Sequence, residues 1–162
     1  MKIYIGADHA GYEIKEKLKV YLGELGLGYE VIDKGAFEYN KDDDYPDFIS
    51  EVAESVASDA QSFGIIIGGS GQGEAMCANR ISGARASVFY GQVLPKVGVD
   101  INGEQSNDSF EIIKLARVHN DANILSIGVR FATEDEIKFA TELFLKTPFS
   151  GEERHKRRLA KF

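Results

Sequence analysis

The chain contains 162 residues, of which 43% are hydrophobic and 28% charged, with 17 glycines. This length predicts one domain that buries a substantial core. The formal net charge of −7 argues against non-specific nucleic-acid binding, which needs a basic surface to neutralise phosphates.

Runs of β-forming residues alternate with amphipathic helical patterns along the chain. The pattern predicts five strands, over residues 2–6, 29–33, 63–67, 86–89 and 123–127. The third run is almost wholly apolar, which is typical of a central parallel strand covered on both faces. Between these strands, the spacing of apolar residues predicts a helix over 14–25 and another over 47–60, the latter with Asp47 as its N-cap.

The later helices are predicted from their capping residues. Thr133 and Ser150 are each followed three residues later by a glutamate, which predicts two capping boxes, and Asp108 offers a weaker version. Ser150 would begin a basic C-terminal helix at about 150–161.

The alternation of strands and crossovers predicts a doubly wound, Rossmann-like α/β fold, in which a five-stranded parallel sheet carries helices on both faces. We expect a single domain over residues 1–162. In such a sheet, ligands bind at the carboxyl ends of the strands, beside a topological switch point.

Residues 91–108 break this rhythm, because they interpose about 18 residues where a connection of 2–6 would suffice. One interpretation is a surface loop. The other is a lid or an oligomer contact, since long loops are often functional.

A glycine-rich loop, with the sequence GGSGQGE at 68–74, follows the third predicted strand. Its spacing fails three familiar motifs. A dinucleotide fingerprint would need glycine or alanine at position 74 and a P-loop would need lysine there, but Glu74 occupies it. A nucleophile elbow centred on Ser70 would need glycine where Gln72 stands. The N–H groups of such a turn still suit an anion or a developing oxyanion.

Glu74 permits two interpretations. It is an ordinary first-turn carboxylate, favoured by the positive end of a helix dipole, or it is a proton-transferring base beside amides that hold negative charge on a substrate. The dipole would lower the pKa of this carboxyl, whereas burial would raise it. The sequence leaves open which effect prevails.

Other polar residues give weaker signals. Asp8 and His9 end the first predicted strand, so their side chains should reach the same crevice. Arg154 and Arg158 lie one turn apart if their segment is helical, and they either converge on a phosphate or belong to a solvated basic tail. The aspartates at 42–44 are interpreted as a solvated loop.

The compartment and metal content are predicted from what the sequence lacks. The sequence contains no run of about 18 apolar residues, so it predicts no membrane-spanning helix. The first residues do not form the apolar core of a signal peptide. The single cysteine, Cys77, cannot form an internal disulfide and is interpreted as a small buried helix residue. These features predict a cytoplasmic protein with no membrane partner, and the spacing of the three histidines predicts no metal site.

Six motifs follow one another along the chain: GADHAG at 6–11, DYPD at 44–47, GGSGQGE at 68–74, ANR at 78–80, HND at 119–121 and RH at 154–155. Together they resemble the type B ribose-5-phosphate isomerase family, which also includes galactose-6-phosphate isomerase subunits and isomerases of other sugar phosphates. The resemblance covers nearly the whole chain and leaves out residues 91–108, which depart from the family pattern.

The resemblance implies an aldose–ketose isomerase without a metal or organic cofactor, which works as a homodimer or a dimer of dimers. A proton moves between C1 and C2 of a sugar phosphate through a cis-enediolate. One branch of the family uses a glutamate as base, and Glu74 matches it. The other branch uses a cysteine at the end of the third strand, and the matching residue here is Gly68, so Cys77 is not that cysteine.

The resemblance also implies roles for other residues. His119 matches the ring-opening acid, helped by Asp8 and His9, which line the sugar site. Asn120 matches a sugar ligand, and Tyr45 borders the sugar. The enediolate oxygen would be stabilised by the loop residues Gly69, Ser70, Gly71 and Gly73. The phosphate would be bound by Arg130, Arg154 and Arg158. Because the family's site is shared between two subunits, some of these residues should act in trans.

Several alternatives stay open. Ribose 5-phosphate and ribulose 5-phosphate are the first expectation for the substrate, and a tetrose 4-phosphate or hexose 6-phosphate is the second. A nucleotide-binding regulatory α/β module explains the fold and the glycine loop equally well, but it gives no role to Glu74 or the paired arginines. A metal-dependent isomerase that works by hydride shift is a third alternative.

Overall fold

A computed structural model describes residues 1–161 of the chain. In chain order its elements are β1 (Lys2–Ala7), α1 (Tyr12–Glu24), β2 (Glu30–Asp33), α2 (Tyr45–Ser58), β3 (Phe63–Gly68), α3 (Gln72–Ala78), β4 (Ala86–Phe89), α4 (Glu111–Asn120), β5 (Ile124–Gly128), α5 (Glu134–Lys146) and α6 (Glu153–Leu159). Each predicted strand is present, with its ends within one residue of the expected positions. Within this range no helix is both long and apolar enough to cross a lipid bilayer.

The five strands form one parallel sheet in the order β2-β1-β3-β5-β4, which confirms the predicted fold class. Ile5 pairs with Ile65, and Ile65 pairs with Leu125 on its other side. From β1 the chain first crosses outward to β2 and then returns to place β3 on the opposite side of β1. The switch point therefore lies between the carboxyl ends of β1 and β3.

Helices cover both faces of this sheet. Because successive residues of a strand point to opposite faces, Ile65 and Ile67 of β3 lie in one core and Ile66 in the other. The first core is closed by α1, α4 and α5, and the second by α2 and α3. The near-continuous apolar run of β3 follows from this coverage.

The structure confirms one of the predicted helix starts and shows that others are wrong or displaced. At α5 the capping box is confirmed, because the Thr133 hydroxyl accepts from the Glu136 N–H while the Glu136 carboxylate accepts from the Thr133 N–H. The box expected at Ser150 is wrong, since α6 begins at Glu153 without a side-chain cap. At α2 the helix begins two residues before Asp47, with Asp44 at the N-cap position.

Between β4 and α4 the chain runs through residues 90–110 without a helix or strand. Its base is closed by a hydrogen bond from the Val93 N–H to the Ser109 carbonyl, 2.9 Å long. Its tip is a turn over residues 99–104, in which Asp100 Oδ1 accepts the N–H groups of Asn102 and Glu104, each at 2.9 Å. This tip folds back towards α6, because Val99, Asp100 and Ile101 line one cavity with residues of that helix.

Candidate active site

The residues that follow β1, β3 and β5 meet at the carboxyl edge of the sheet. We call this group the strand-end half-site, and its members are Asp8, His9, Tyr45, the glycine loop 68–73, Glu74 and Arg130. Close backbone packing brings the loops together: a Cβ at Gly11 would lie 2.4 Å from the Ile67 carbonyl oxygen, and a Cβ at Gly128 would lie 2.5 Å from the Ser70 oxygen. Only glycine permits such approaches.

The glycine loop is also packed against side chains of this half-site. A Cβ at Gly69 would lie 2.8 Å from the Arg130 guanidinium carbon, and one at Gly73 would lie 3.1 Å from the Tyr45 ring. Gly71 has a φ of 75°, the left-handed conformation that glycine adopts without strain, and its carbonyl accepts from the Ser126 hydroxyl at 2.6 Å. The loop is therefore held in one shape before any ligand arrives.

Glu74 lies inside this half-site rather than on the surface, with only 4% of the residue exposed. Burial raises the pKa of its carboxyl above the ordinary value, and the nearby charge of Asp8 raises it further. The Arg130 charge and backbone hydrogen bonds from Glu74 itself and Gly71 oppose that rise. The pKa is raised overall, so burial outweighs the hydrogen bonds from the first turn of α3 and the charge of Arg130.

Gly68 explains why the carboxylate fits where it does. A Cβ built on Gly68 would lie 1.7 Å from Oε1 of Glu74 and 2.2 Å from its carboxyl carbon. The glutamate therefore occupies the volume that any side chain at position 68 would need. Glycine at position 68 and glutamate at position 74 therefore depend on each other, because the side chain of Glu74 fills the space that Gly68 leaves empty.

Asp8 and His9 line the same crevice. Asp8 is 7% exposed, and its Oδ1 accepts the N–H groups of Ala10 and Gly11 at 3.0 and 3.2 Å, which fixes the carboxylate. His9 Nδ1 lies 2.6 Å from Oδ1 of Asp43. The interpretation of residues 42–44 as a solvated loop is wrong for Asp43, whose side chain is 6% exposed.

A second group forms around the C-terminal ends of α4 and the α6 helix. We call it the helix half-site, and its members are His119, Arg154, His155, Arg158 and the tip residues Val99, Asp100 and Ile101. They line a cavity of about 260 Å³. The His119 and His155 rings stack with centroids 4.4 Å apart and planes 11° from parallel. Arg154 Nε donates to Glu152 Oε2 at 2.7 Å.

The charges around His119 set its protonation state. Burial lowers the pKa of this imidazole, and the neighbouring His155 ring and the charges of Arg154 and Arg158 lower it further. The charge of Glu152 raises the pKa of His119 without cancelling these effects. His119 is therefore neutral at pH 7, a state in which its ring can both give and accept a proton. Asn120 lies at the same edge, in a hollow lined by Asn79 and Arg85.

The two half-sites lie at opposite edges of the sheet. In a parallel sheet the connecting helices run against the strands, so α4 ends where β5 begins, and His119 lies at the amino edge. Glu74 lies at the carboxyl edge. Strands of four to six residues separate these edges by about 13–20 Å at roughly 3.3 Å per residue. One chain therefore does not bring Glu74 and His119 together.

The comparisons with known proteins identify the family. A family model described as Ribose/Galactose Isomerase matches residues 3–105 and 106–162, so the match is divided inside the 91–108 segment. This chain belongs to the ribose/galactose isomerase family. It is therefore an isomerase, as the sequence motifs implied.

Relatives in this family cover nearly the whole chain. Ribose-5-phosphate isomerase B from Mycobacterium tuberculosis (strain ATCC 25618 / H37Rv) is 38% identical over 159 residues, or 98% of this chain and 86% of the relative. The putative sugar phosphate isomerase YwlF from Bacillus subtilis (strain 168) is 33% identical over 161 residues, or 99% of this chain and 94% of the relative.

Solved structures of the family have the same fold. Ribose-5-phosphate isomerase B from Mycoplasma genitalium with bound ribulose-5-phosphate matches with a TM-score of 0.83 and 32% identity, over 99% of this chain and 92% of that one. The Clostridium thermocellum ribose-5-phosphate isomerase B matches with a TM-score of 0.82 and 37% identity, over 99% and 94%.

Two features of the site went beyond the sequence reasoning. Asp43 was not singled out, because three consecutive aspartates give no signal as to which of them is buried. Asp8, His9 and Asp43 also present ligand atoms within 4.8 Å of one another, which makes them the described residues best placed to hold a cation. Hydrogen bonds already engage Oδ1 of both aspartates and Nδ1 of the histidine.

Proposed function

We propose that this isomerase interconverts ribose 5-phosphate and ribulose 5-phosphate, with Glu74 as the base. The observation that carries the proposal is the burial of Glu74 beside a fixed glycine loop at the switch point of the sheet. The ribulose-5-phosphate held by the Mycoplasma genitalium relative supports the choice of sugar.

In the proposed reaction the Glu74 carboxylate removes the proton from C2 of the open-chain aldose. Electrons shift onto the C1 carbonyl oxygen, which becomes the negative oxygen of a cis-enediolate. The protonated glutamate returns the proton to C1, and the hydroxyl proton on O2 passes to O1, which leaves the ketose. A raised pKa suits proton transfer by Glu74, because a group both accepts and returns a proton most efficiently when its pKa lies near the working pH.

The glycine loop would hold the negative oxygen. Its members Gly69, Ser70, Gly71 and Gly73 surround the turn between β3 and α3, and preorganised N–H donors stabilise charge that develops only in the transition state. Tyr45 packs on Gly73 and would border the sugar. We assign ring opening to neutral His119 as acid–base group, with Asp8 as its counterpart and Asn120 as a sugar ligand.

Arginines would bind the phosphate, far from the reacting carbons. Arg154 and Arg158 line the cavity of the helix half-site, and Arg130 lies against Gly69 in the strand-end half-site. Binding energy gained at the phosphate positions C1 and C2 over the base. Guanidinium groups suit this role because they donate paired hydrogen bonds to phosphate oxygens.

We further propose that two copies of the chain complete each site, as a homodimer or a dimer of dimers. One chain separates Glu74 from His119 by the length of a strand, so the two can meet only when the helix half-site of one copy faces the strand-end half-site of another. The charges suit such a contact, because Asp8 and Glu74 on one side face Arg154 and Arg158 on the other. The lone cysteine and a phosphorylated sugar substrate favour the cytoplasm as the compartment.

The substrate is tested by an activity screen of the purified protein against pentose 5-phosphates, tetrose 4-phosphates and hexose 6-phosphates. We expect the highest kcat/KM with ribose 5-phosphate, and the same activity after exhaustive chelation. Preference for another sugar phosphate would correct the substrate. Activity lost on chelation would point instead to a metal-dependent hydride shift. Thermal stabilisation by a nucleotide and by no sugar phosphate would indicate a nucleotide-binding module instead.

The shared site is tested by mixing two variants and measuring activity at substrate concentrations below the wild-type KM, where each variant alone has little activity. Glu74→Gln and Arg158→Ala each impair the site from a different half-site. In a mixed dimer, one site carries both changes and the other carries neither. Unfolding and refolding a 1:1 mixture should therefore restore about a quarter of the wild-type activity, since half the dimers are mixed and each regains one of two sites. No recovery, with mixed dimers shown by mass spectrometry, would place both residues in one chain's site.

A further inference from the structure

A buried aspartate outside the predicted site residues holds His9. Oδ1 of Asp43 lies 2.6 Å from Nδ1 of the His9 ring and also accepts the His9 backbone N–H at 3.1 Å. One oxygen thus fixes both the main chain and the ring of the same residue. The His9 side chain remains 31% exposed, whereas that of Asp43 is 6% exposed.

The position of Asp43 differs from that of its neighbours. Asp42 and Asp44 are exposed, as expected for loop aspartates. The second oxygen of Asp43, Oδ2, is buried and has no hydrogen-bond partner among residues 1–161. A buried carboxylate with an unpartnered oxygen costs free energy, and a positive partner on its other oxygen offsets that cost. The surroundings of Asp43 therefore favour a protonated His9.

The other charged groups that face His9 act in both directions. Asp8 Oδ2 lies 4.0 Å from Nδ1. The hydrogen bond to Asp43 is the largest influence and raises the pKa of His9, aided by the charges of Asp8 and Asp43. Burial and the positive charge of Arg130 oppose this rise without cancelling it.

The hydrogen bond also decides what the other ring nitrogen can do. With Nδ1–H donated to Asp43, Nε2 is the nitrogen left for a ligand. In a neutral ring Nε2 would be a bare acceptor and would repel an anionic oxygen, whereas in the imidazolium it carries a proton and becomes a charged donor.

We propose that Asp43 is a positioning residue of the active site, whose Oδ1 fixes both the main chain and the ring of His9 so that Nε2–H donates to an anionic oxygen of the sugar phosphate. The inference rests on the proposed function for the identity of the ligand. The pairing itself does not depend on that function. Asp43 does not touch the substrate and acts through His9.

The test begins with NMR titration of the histidine Cε1–H signals in the full chain without substrate. The chain has three histidines, so the His9→Gln variant assigns the His9 signal by its loss. In Asp43→Asn the His9 pKa should fall towards the ordinary value of about 6.5. The matched control is Asp42→Asn, an exposed neighbour in the same loop, which should leave the pKa unchanged.

Kinetics then test the role in binding. For ribose 5-phosphate, Asp43→Asn should raise KM about tenfold, with a smaller change in kcat, because a charged donor is lost from substrate binding. The alkaline limb of the kcat/KM profile should move to lower pH, which a merely structural role would not cause. In a His9→Gln background, Asp43→Asn should have no further effect on KM.

Each outcome decides the inference. A His9 pKa or a KM that is unchanged in Asp43→Asn overturns it, and so do additive effects of the two substitutions. If Asp43→Asn does not fold, the wild-type His9 pKa decides, and a value at or below about 6.5 overturns the inference. If the protein isomerises no sugar phosphate, the proposed function is wrong. The NMR titration without substrate would still test whether Asp43 raises the pKa of His9.

Discussion

The two half-sites are built in different ways. In the strand-end half-site, Asp8 and Glu74 are buried at 7% and 4% exposure, and the loops pack so closely that a Cβ at Gly11 or Gly128 would lie within 3 Å of neighbouring backbone atoms. The helix half-site is an open cavity on short helix α6, where Arg154 is paired with exposed Glu152 and Arg158 is itself exposed. The comparison teaches that one chain already holds in place the groups proposed for proton transfer, whereas Arg154 and Arg158, which are proposed to bind the phosphate, lie at an open surface.

The largest expected effect tests the buried half. Glu74→Gln keeps the shape of the side chain and removes its capacity to accept a proton, so kcat should fall by about 10²–10⁴-fold. Binding of ribose 5-phosphate, measured by calorimetry, should change little. Turnover like that of the wild type would remove Glu74 from the role of base.

The next effect tests the open half. Arg158→Ala should raise KM by about 10- to 100-fold, because a charge-assisted hydrogen bond to the phosphate is lost. Arg157→Ala is the matched control, since Arg157 is an exposed neighbour on α6 that does not line the cavity. If the two variants have the same KM, Arg158 does not bind the phosphate.

A smaller effect concerns the tip of the 91–108 segment. Asp100 lines the cavity with Arg154 and Arg158. Hydrogen bonds from the Glu104 and Asn102 N–H groups lower the pKa of its carboxyl, and the charge of Arg154 makes a smaller contribution in the same direction. A carboxylate at this place repels a phosphate, so Asp100→Asn should lower KM about two- to fivefold while the amide oxygen keeps the turn. Glu104→Gln, in the same turn, should leave KM unchanged. A raised KM in Asp100→Asn would show that the carboxylate aids binding.

The smallest effect is on stability. Because burial raises the pKa of Glu74 in the folded state, ionisation of this carboxyl destabilises the fold, an effect that begins above the unfolded-state pKa and is complete above the raised pKa. Glu74→Gln should therefore raise Tm at pH 7 by the few degrees that about 1 kcal/mol produces in a domain of this size. The Tm difference between variant and wild type should vanish as the pH falls well below about 4.3, the ordinary glutamate pKa, where the wild-type carboxyl is protonated in both states. If Glu74→Gln and the wild type have the same Tm at pH 7 as well as at low pH, the fold does not bury an ionised carboxylate at position 74.

The fold was predictable because it depends on patterns within single elements. The apolar run at 63–67 predicted a central strand, and Thr133 with Glu136 predicted a helix start. Ser150 misled because its hydroxyl accepts the Glu152 N–H within the turn before α6, and no side chain caps the helix itself. Cys77 was expected to be buried and is half-buried, with Sγ 3.6 Å from the Ser50 hydroxyl.

The site was predictable only where a residue's place follows from the strand it ends. Asp8 and Glu74 were expected in one crevice for that reason, and the structure places both there. Asp43 could not be distinguished from Asp42 and Asp44, because burial of one loop side chain depends on His9, 34 residues away in the chain. The position of His119 at the amino edge of the sheet, opposite to Glu74, could have been predicted. It follows from the direction of α4, which the parallel sheet alone determines.

The contact between position 68 and the glutamate also restricts how such an enzyme can change during evolution. A cysteine introduced at position 68 would collide with the Glu74 carboxylate, so the first mutational step towards a thiol base would displace the proposed base before the new one is aligned. If Glu74 were replaced first, the protein would have neither the carboxylate nor the thiol. Exchange of one base for the other therefore passes through a weakened ancestor on either route, and a duplicated gene copy would shelter that intermediate from selection.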